Sequence, residues 1–103
     1  MRVIYARDRV AEFIDCLDYV TRAHVLKVID RLQKYGSDIG LPFSKSLGNG
    51  LFELRVVGSK QVRLFYVFNQ GEAYVLHVFI KKTWQIPKRE IEYARLIQKN
   101  LFA

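Results

Sequence analysis

Apolar residues at helical spacing dominate the first third of the chain and predict two consecutive helices. The first apolar stripe follows an i, i+3, i+4, i+7 spacing and consists of Val10, Phe13, Ile14 and Leu17. The second stripe consists of Val25, Val28, Ile29, Leu32 and Tyr35. Asp8 is the predicted N-cap of the first helix, a break near Asp18 separates the two, and Gly36 suits the end of the second. The short connection predicts an antiparallel helical hairpin.

Alternation typical of β-strands follows in residues 51–57, 62–68 and 73–82. Glycine-containing connections of hairpin length join these segments, so they predict a three-stranded antiparallel meander. Residues 2–6 are apolar and β-prone and allow a further short strand, whereas residues 37–50, rich in glycine and serine, predict a long loop.

The end of the chain predicts one more helix. Pro87 suits its first turn. Its apolar side consists of Ile91, Ala94, Ile97 and Leu101.

Strand alternation predicts a sheet with one apolar and one charged face. The predicted apolar face consists of Phe52, Leu54, Val56, Val62, Leu64, Tyr66, Phe68, Tyr74, Leu76, Val78 and Ile80. The predicted charged face consists of Glu53, Arg55, Arg63, His77 and Lys81, beside Phe65, Val67, Val75 and Phe79. The helices should cover the apolar face. Cations beside aromatic rings on the other face are costly to desolvate unless an anion binds them, and the rings can stack on unpaired bases.

Composition and charge narrow the class of protein. The chain has 103 residues, of which half are hydrophobic, and this predicts one folded domain over residues 1–103. The formal net charge of +7 favours a polyanionic partner such as nucleic acid, although a generally basic, solvated surface would have the same charge. The apolar runs are too short for a bilayer, no signal-peptide pattern opens the chain, and Cys16 is the single cysteine. We therefore expect a cytoplasmic protein without a disulfide, membrane partner or metal framework.

Four segments, "GLFELR", "VRLFY", "VLHVFIKKT" and "PKREIEYA", follow the helical hairpin in this order. With them the chain resembles the RelE/HigB superfamily of bacterial toxins, most closely its phage-derived HigB-like branch. The resemblance covers nearly the whole chain and is strongest from Leu47 to Arg95. It implies an α+β fold in which helices pack on one face of a small twisted antiparallel sheet.

The resemblance also implies an activity and a partner. The activity is cleavage of mRNA, usually in the ribosomal A site, by the toxin of a type II toxin–antitoxin pair. The antitoxin would be a separate small protein, commonly with a helix-turn-helix domain, and neither a metal nor another cofactor is expected.

Individual residues match positions of this family. Arg63 matches an arginine of the middle strand, and Arg55 falls at a basic position of the preceding strand. His77 matches a histidine common in the HigB-like branch, while Lys81 and Lys82 fall at the basic end of the last strand.

Two positions depart from the family pattern. Glu53 stands where RelE-type members tend to have a second lysine. Tyr93 is near the late catalytic tyrosine of those members without lining up with it, and a tyrosine on an amphipathic helix is commonly a packing residue.

RNA cleavage without a metal requires a base, an acid and cations for the phosphate. Arg55 and Arg63 suit the phosphate, and His77 and Lys81 suit proton transfer. Further phosphate contacts are expected from Lys45, Lys60, Lys82 and Lys88. The structural alternatives are a hydrogen-bonding role for His77 and an ion-pair role for Glu53 beside Arg55.

Two other functions fit the same pattern. A ParE-like toxin would share the architecture and inhibit DNA gyrase through protein contacts, without nuclease residues. A non-catalytic, phage-derived RNA-binding protein would keep the basic surface but cleave nothing.

Overall fold

The computed structural model describes residues 1–102 and shows a mixed α+β fold with three helices and a five-stranded open sheet. In chain order the elements are β1 (Arg2–Tyr5), α1 (Asp8–Asp15), α2 (Tyr19–Tyr35), a short 3₁₀ turn (Gly36–Asp38), β2 (Ser44–Gly48), β3 (Leu51–Val56), β4 (Val62–Asn69), β5 (Glu72–Ile80) and α3 (Lys88–Leu101). The strand order is β1-β5-β4-β3-β2. The predicted α+β class, the short first strand, the meander and the last helix are confirmed.

The sheet is larger than the predicted antiparallel meander. β1 pairs in parallel with β5, so the prediction of a purely antiparallel sheet is wrong. The prediction of a loop over residues 37–50 is wrong for Ser44–Gly48, which form β2 and pair with β3. Serine, lysine and glycine are poor strand formers, but β2 is an edge strand, and its hairpin with β3 supplies the partner that its own residues do not predict.

Two tight turns determine the registers of the hairpins. Asn49 and Gly50 both have positive φ between β2 and β3, as do Gln70 and Gly71 between β4 and β5. Positive φ at both central residues is the conformation of a two-residue type I′ turn, whose twist matches that of the strands.

The helix ends are set by local chemistry. Asp18 caps α2, because its side chain accepts a hydrogen bond from the backbone N–H of Thr21 at 3.1 Å, and Gly36 ends α2 with a φ of +55°. The prediction that Asp8 caps the first helix is wrong. The cap position is occupied by Arg7 without a side-chain hydrogen bond, and Asp8 lies in the first turn, where a carboxylate suits the helix dipole.

Helices cover both faces of the sheet. The first apolar cluster joins α1 and α2 to one face through residues such as Ile14, Val25 and Leu64. The second joins α3 to the other face through Ala94, which packs with Phe65 and Phe79. The prediction that the helices pack on one face only is therefore wrong, because the reverse face also carries apolar side chains that need cover.

A β-bulge changes which side chains share a face in β5. Phe65 pairs with His77, but the next residue of β4, Tyr66, pairs with Val75, so that Leu76 is the extra residue. Alternation therefore reverses at Leu76. Leu76 and Tyr74 belong to the α3 side and Val75 to the α1/α2 side, and the predicted placement of these three residues is wrong. Val78 and Ile80, beyond the bulge, lie on the predicted face.

Within residues 1–102, no helix has the length and apolar character needed to cross a lipid bilayer.

Candidate functional site

A buried carboxylate draws two arginines together on the α3 side of the sheet. The Glu53 side chain is only 2% exposed. The Nε of Arg55 donates a hydrogen bond to Glu53 Oε1 at 2.7 Å, and the Nε of Arg63 lies 3.4 Å from Glu53 Oε2. Arg55 and Arg63 are direct partners across β3 and β4, so both must project from the same face. The structure thus brings these two predicted site residues together, and Glu53 is their ion-pair partner.

The two arginines differ in how far solvent reaches them. The Arg55 side chain is 32% exposed, whereas that of Arg63 is 9% exposed. The terminal nitrogens of Arg63 donate to the backbone oxygen of Val62 at 3.2 Å and to the Gln61 side chain at 3.3 Å. Burial lowers the pKa of Arg63, and the charge of Glu53 opposes that effect. A ligand arriving from solvent therefore meets Arg55 first.

His77 lies in a second polar cluster, under α3. Its Nε2 is 3.2 Å from Glu90 Oε2, and because a carboxylate can only accept, Nε2 is the donor. The imidazole stacks on Phe79 with 5.4 Å between ring centroids and meets the Tyr93 ring edge-on at 4.9 Å. Burial lowers the pKa of His77. The hydrogen bond to Glu90 partly offsets this shift, and the positive charge of Arg7 lowers the pKa further. The lowered pKa favours the neutral imidazole, and with the proton on Nε2, Nδ1 is the nitrogen that can accept one.

Tyr93 and Arg7 complete this cluster. A terminal nitrogen of Arg7 donates to the Tyr93 hydroxyl, and the Arg7 guanidinium carbon lies 5.6 Å from the centre of the Tyr93 ring. This hydrogen bond lowers the pKa of Tyr93, and the positive charge of Arg9 adds to the effect. A tyrosine whose pKa is lowered gives up its proton more readily than an isolated phenol.

The second cluster lines an open cleft of about 440 Å³. Its polar lining residues are Arg7, Arg9, His77, Glu90 and Tyr93, and the remaining ones are apolar. Two groups able to transfer protons therefore share one concave site with two arginines. This combination can bind an anion and move a proton on or off it.

The two clusters are neighbours on one face. His77 pairs with Phe65 and Arg63 pairs with Phe79, so His77 and Arg63 are diagonal neighbours across β4 and β5. Such neighbours lie about 7–8 Å apart. The predicted charged face is thus divided by the rings of Phe65 and Phe79 into an arginine pair on β3 and β4 and a histidine–tyrosine cleft on β5 and α3.

The predicted lysines lie around these clusters. Lys81 follows β5 directly, and its backbone N–H donates to the oxygen of Gln61 at 2.7 Å. The four lysines predicted to contact phosphate are all exposed: Lys45, Lys60, Lys82 and Lys88. Lys60 forms an ion pair of 3.0 Å with Asp18 at the start of α2, so its amine is directed toward the α1/α2 side.

Sequence reasoning missed Arg7, Arg9 and Glu90, and it favoured packing for Tyr93. Arg7 and Arg9 precede or open α1, far along the chain from the meander, so strand alternation could not place them. The spacing in α3 could have indicated part of the cluster, because Glu90 and Tyr93 are three residues apart and therefore share a helix face.

Two further aromatic residues, Phe43 and Trp84, lie in different surroundings. Phe43 packs against the first apolar cluster, with the Arg31 guanidinium 4.2 Å from its ring centre. Trp84 is exposed in the segment between β5 and α3.

In the part of the chain that the structure describes, no group of three or more histidine, cysteine, aspartate or glutamate side chains is arranged to hold a metal ion.

Comparison with known proteins places the chain in a family. Residues 12–99, well over half of the sequence, match the family described as "Phage derived protein Gp49-like (DUF891)". No curated protein matches the chain. The matched region includes the second half of α1 and all elements from α2 to β5, together with His77, Glu90 and Tyr93 of the cleft. The chain therefore belongs to the phage-derived Gp49-like family, a toxin-like family of the RelE/HigB type.

Proposed function

We propose that this protein is the toxin of a type II toxin–antitoxin system and cleaves mRNA. Its partner would be a separate antitoxin, of helix-turn-helix type as in the HigB-like branch. The observation that carries the proposal is the cleft in which His77 and Tyr93 meet two arginines beside the Arg55–Arg63 pair. The family match is consistent with a toxin, and the cleft supplies groups suited to RNA chemistry.

The chemistry needs only groups of the RNA and of the chain itself. The 2′-hydroxyl oxygen attacks the adjacent phosphorus, the bond to the 5′-oxygen breaks, and the products are a 2′,3′-cyclic phosphate and a 5′-hydroxyl. His77 accepts the 2′ proton at Nδ1, since burial lowers its pKa and so favours the neutral imidazole. Tyr93 donates a proton to the leaving 5′-oxygen, for which its lowered pKa suits it.

Cations hold the phosphate during this step. Arg55 is accessible and held in place by Glu53, so it can grip the phosphate oxygens. Arg63, the cross-strand partner of Arg55, is more deeply buried and adds positive charge beside it. Arg9 and Lys81 supply further charge at the cleft and at the end of β5. Together these groups oppose the negative charge that builds on the phosphate in the transition state.

Single-turnover cleavage of a transcript tests the proposal, with and without ribosomes. His77→Gln and Tyr93→Phe should each lower the rate by roughly 10²- to 10⁴-fold, as expected for loss of a general base or acid. Arg55→Ala should also lower it. Arg22→Ala on α2 is the matched control, since the Arg22 side chain donates to the backbone oxygen of Asp15 and does not line the cleft. The products should carry 2′,3′-cyclic phosphate ends.

Other results would point elsewhere. RNA that is bound but not cut by the unaltered protein would favour the non-catalytic RNA-binding module. Inhibition of gyrase supercoiling without RNA cleavage would favour a ParE-like toxin. Full activity in His77→Gln and Tyr93→Phe would remove the cleft from the mechanism.

A further inference from the structure

Trp84 is the most exposed of the large hydrophobic side chains in residues 1–102, at 93%. Tryptophan usually buries most of its surface, because the indole ring gains more from leaving water than any other side chain. In the described residues, Trp84 takes part in none of the aromatic pairs, and its indole makes no hydrogen bond to another group. The fold therefore gains nothing from this ring, and a binding role would account for its exposure.

The segment that presents the ring is held at both ends. At its start, the Lys81 N–H donates to Gln61, and at its end, Ile86 packs into the second apolar cluster. Between them the Thr83 hydroxyl donates to the backbone oxygen of Gln85 at 2.5 Å and closes a turn around Trp84. A ring displayed on a closed turn loses less conformational freedom on binding than a ring on a free tail.

Charge around the ring selects the kind of partner. Residues 81–89 contain four basic side chains, Lys81, Lys82, Lys88 and Arg89, and no acidic one. The neighbours Thr83 and Gln85 are polar and exposed. Ile86, Pro87 and Ile91 line one open depression together with Trp84, but Ile86 and Ile91 pack against the second apolar cluster. The ring itself stays exposed beside Lys88 and Arg89. An exposed ring flanked by cations matches a single nucleic-acid strand, which offers base faces and phosphates in alternation.

We infer that Trp84 is a stacking platform for one unpaired RNA base, with Lys82, Lys88 and Arg89 on the flanking phosphates. The segment continues directly from β5, which carries His77, into α3, which carries Tyr93. An RNA strand held here would therefore lead into the cleft. The inference rests on the proposed RNA-cleaving function and adds a binding subsite to it.

Fluorescence tests this directly, because Trp84 is the single tryptophan of the chain. The probe is a short single-stranded 2′-O-methyl oligoribonucleotide, whose blocked 2′ oxygen prevents cleavage. Binding should quench the emission of Trp84 and reduce its accessibility to acrylamide. An abasic oligonucleotide of the same length and charge should bind more weakly and leave the emission unchanged.

Variants separate stacking from other contributions. Trp84→Ala should weaken binding by roughly 5- to 150-fold, the range that corresponds to about 1–3 kcal/mol per stacked base. Trp84→Phe should keep most of the affinity, and Trp84→Leu, which is apolar but has no aromatic face, should not. Circular dichroism should show all three folded, because the ring lies outside both apolar clusters.

The outcomes distinguish this inference from the proposed function. Binding and cleavage that are unchanged in Trp84→Ala, with no quenching, would overturn the stacking role and leave the nuclease standing. Quenching by poly-glutamate but not by RNA would also overturn it and assign the segment to a protein partner. If no form binds the oligonucleotide, the inference fails; if in addition no transcript is cleaved with or without ribosomes, the proposed function fails as well.

Discussion

The carboxylate of Glu53 holds two guanidinium groups, whereas the resemblance to RelE-type toxins predicts a lysine at this position. The burial of this position explains why an acidic residue, Glu53, is found there. Arg63 is almost enclosed, and a second cation beside it would leave two like charges in a poorly solvated place. The departure from the family pattern therefore makes local sense as an ion-pair network that positions Arg55.

Removal of this carboxylate should be costly. We expect Glu53→Ala to lower the free energy of unfolding by roughly 3–5 kcal/mol, because it leaves the buried Arg63 without its counter-charge. Urea denaturation measures the change. Glu72→Ala is the matched control, since its partner Arg2 is exposed, and it should cost roughly 0–1 kcal/mol. Equal effects of the two variants would contradict the buried-pair interpretation.

The burial of Arg63 also changes an expectation from the sequence. If Arg63 only contacted phosphate, as the sequence predicts, Arg63→Ala would abolish cleavage and leave the fold intact. The structure indicates a loss of stability as well, because the substitution would leave Glu53 with one partner and empty the space of a long side chain. Arg55→Ala is the cleaner test of phosphate contact.

His77 should make stability depend on pH. Its pKa lies below the ordinary value of 6.5 because burial disfavours the charged imidazolium. The unfolded chain therefore binds more protons as pH falls through 6.5, and the folded state loses stability from there down to the folded pKa. Above 6.5 both states are neutral and the effect is absent.

Urea unfolding between about pH 5 and pH 7.5 measures this effect. The fall in stability at acid pH should be smaller in His77→Gln than in the unaltered protein. His24→Gln, which removes the other histidine, should keep the fall that His77 causes. An NMR titration of His77 with a midpoint above 6.5 would contradict the expectation.

At the scale of elements, α3 decides what the reverse face of the sheet can bind. It is held by one fully enclosed residue, Ala94, and by polar contacts to the β2–β3 hairpin. Arg95 donates to the backbone oxygens of Leu47 and Gly48, each at 2.9 Å, and Gln98 donates to that of Asn49 at 3.0 Å. By contrast, four residues of α2 are buried in the core. α3 should therefore open more readily than α2.

Hydrogen exchange should detect this difference. We expect the amides of α3 to exchange faster than those of α2, and Arg95→Ala to widen the difference by roughly 1–3 kcal/mol of opening free energy, since it removes charge-assisted hydrogen bonds. Lys99→Ala is the matched control on the same helix, where the side chain is exposed. Equal protection of α2 and α3 would show that packing alone holds the last helix.

The whole molecule carries an excess of positive charge that should govern encounters with RNA. With a net charge of +7, affinity for single-stranded RNA should fall steeply with salt. If Lys82 and Lys88 contact phosphates, Lys82→Ala and Lys88→Ala should each reduce the slope of log K against log salt by about 0.7. Lys27→Ala on α2 should leave the slope unchanged. If neither Lys82→Ala nor Lys88→Ala changes the slope, the RNA phosphates do not contact these two lysines.

Much of the fold was predictable because it depends on local pattern. The helical stripes around Ile14 and Ile29 and the alternation of β3 and β4 match the structure. Asn49-Gly50 was a readable hairpin signal, and recognising it would have revealed β2. The bulge at Leu76 was not readable, since no glycine or unusual residue marks it, and it reversed the predicted faces of half of β5.

The sequence by itself determined the elements other than β2, the charge, the shared face of Arg55 and Arg63, and the family, because each depends on residue type, on spacing or on alternation along a strand. Only the tertiary structure decided that α3 covers the reverse face, that Arg63 is enclosed, and that Arg7 meets Tyr93 across the molecule. These features join residues far apart in the chain. Their contacts arise from how helices pack on a bulged sheet, which local spacing does not encode.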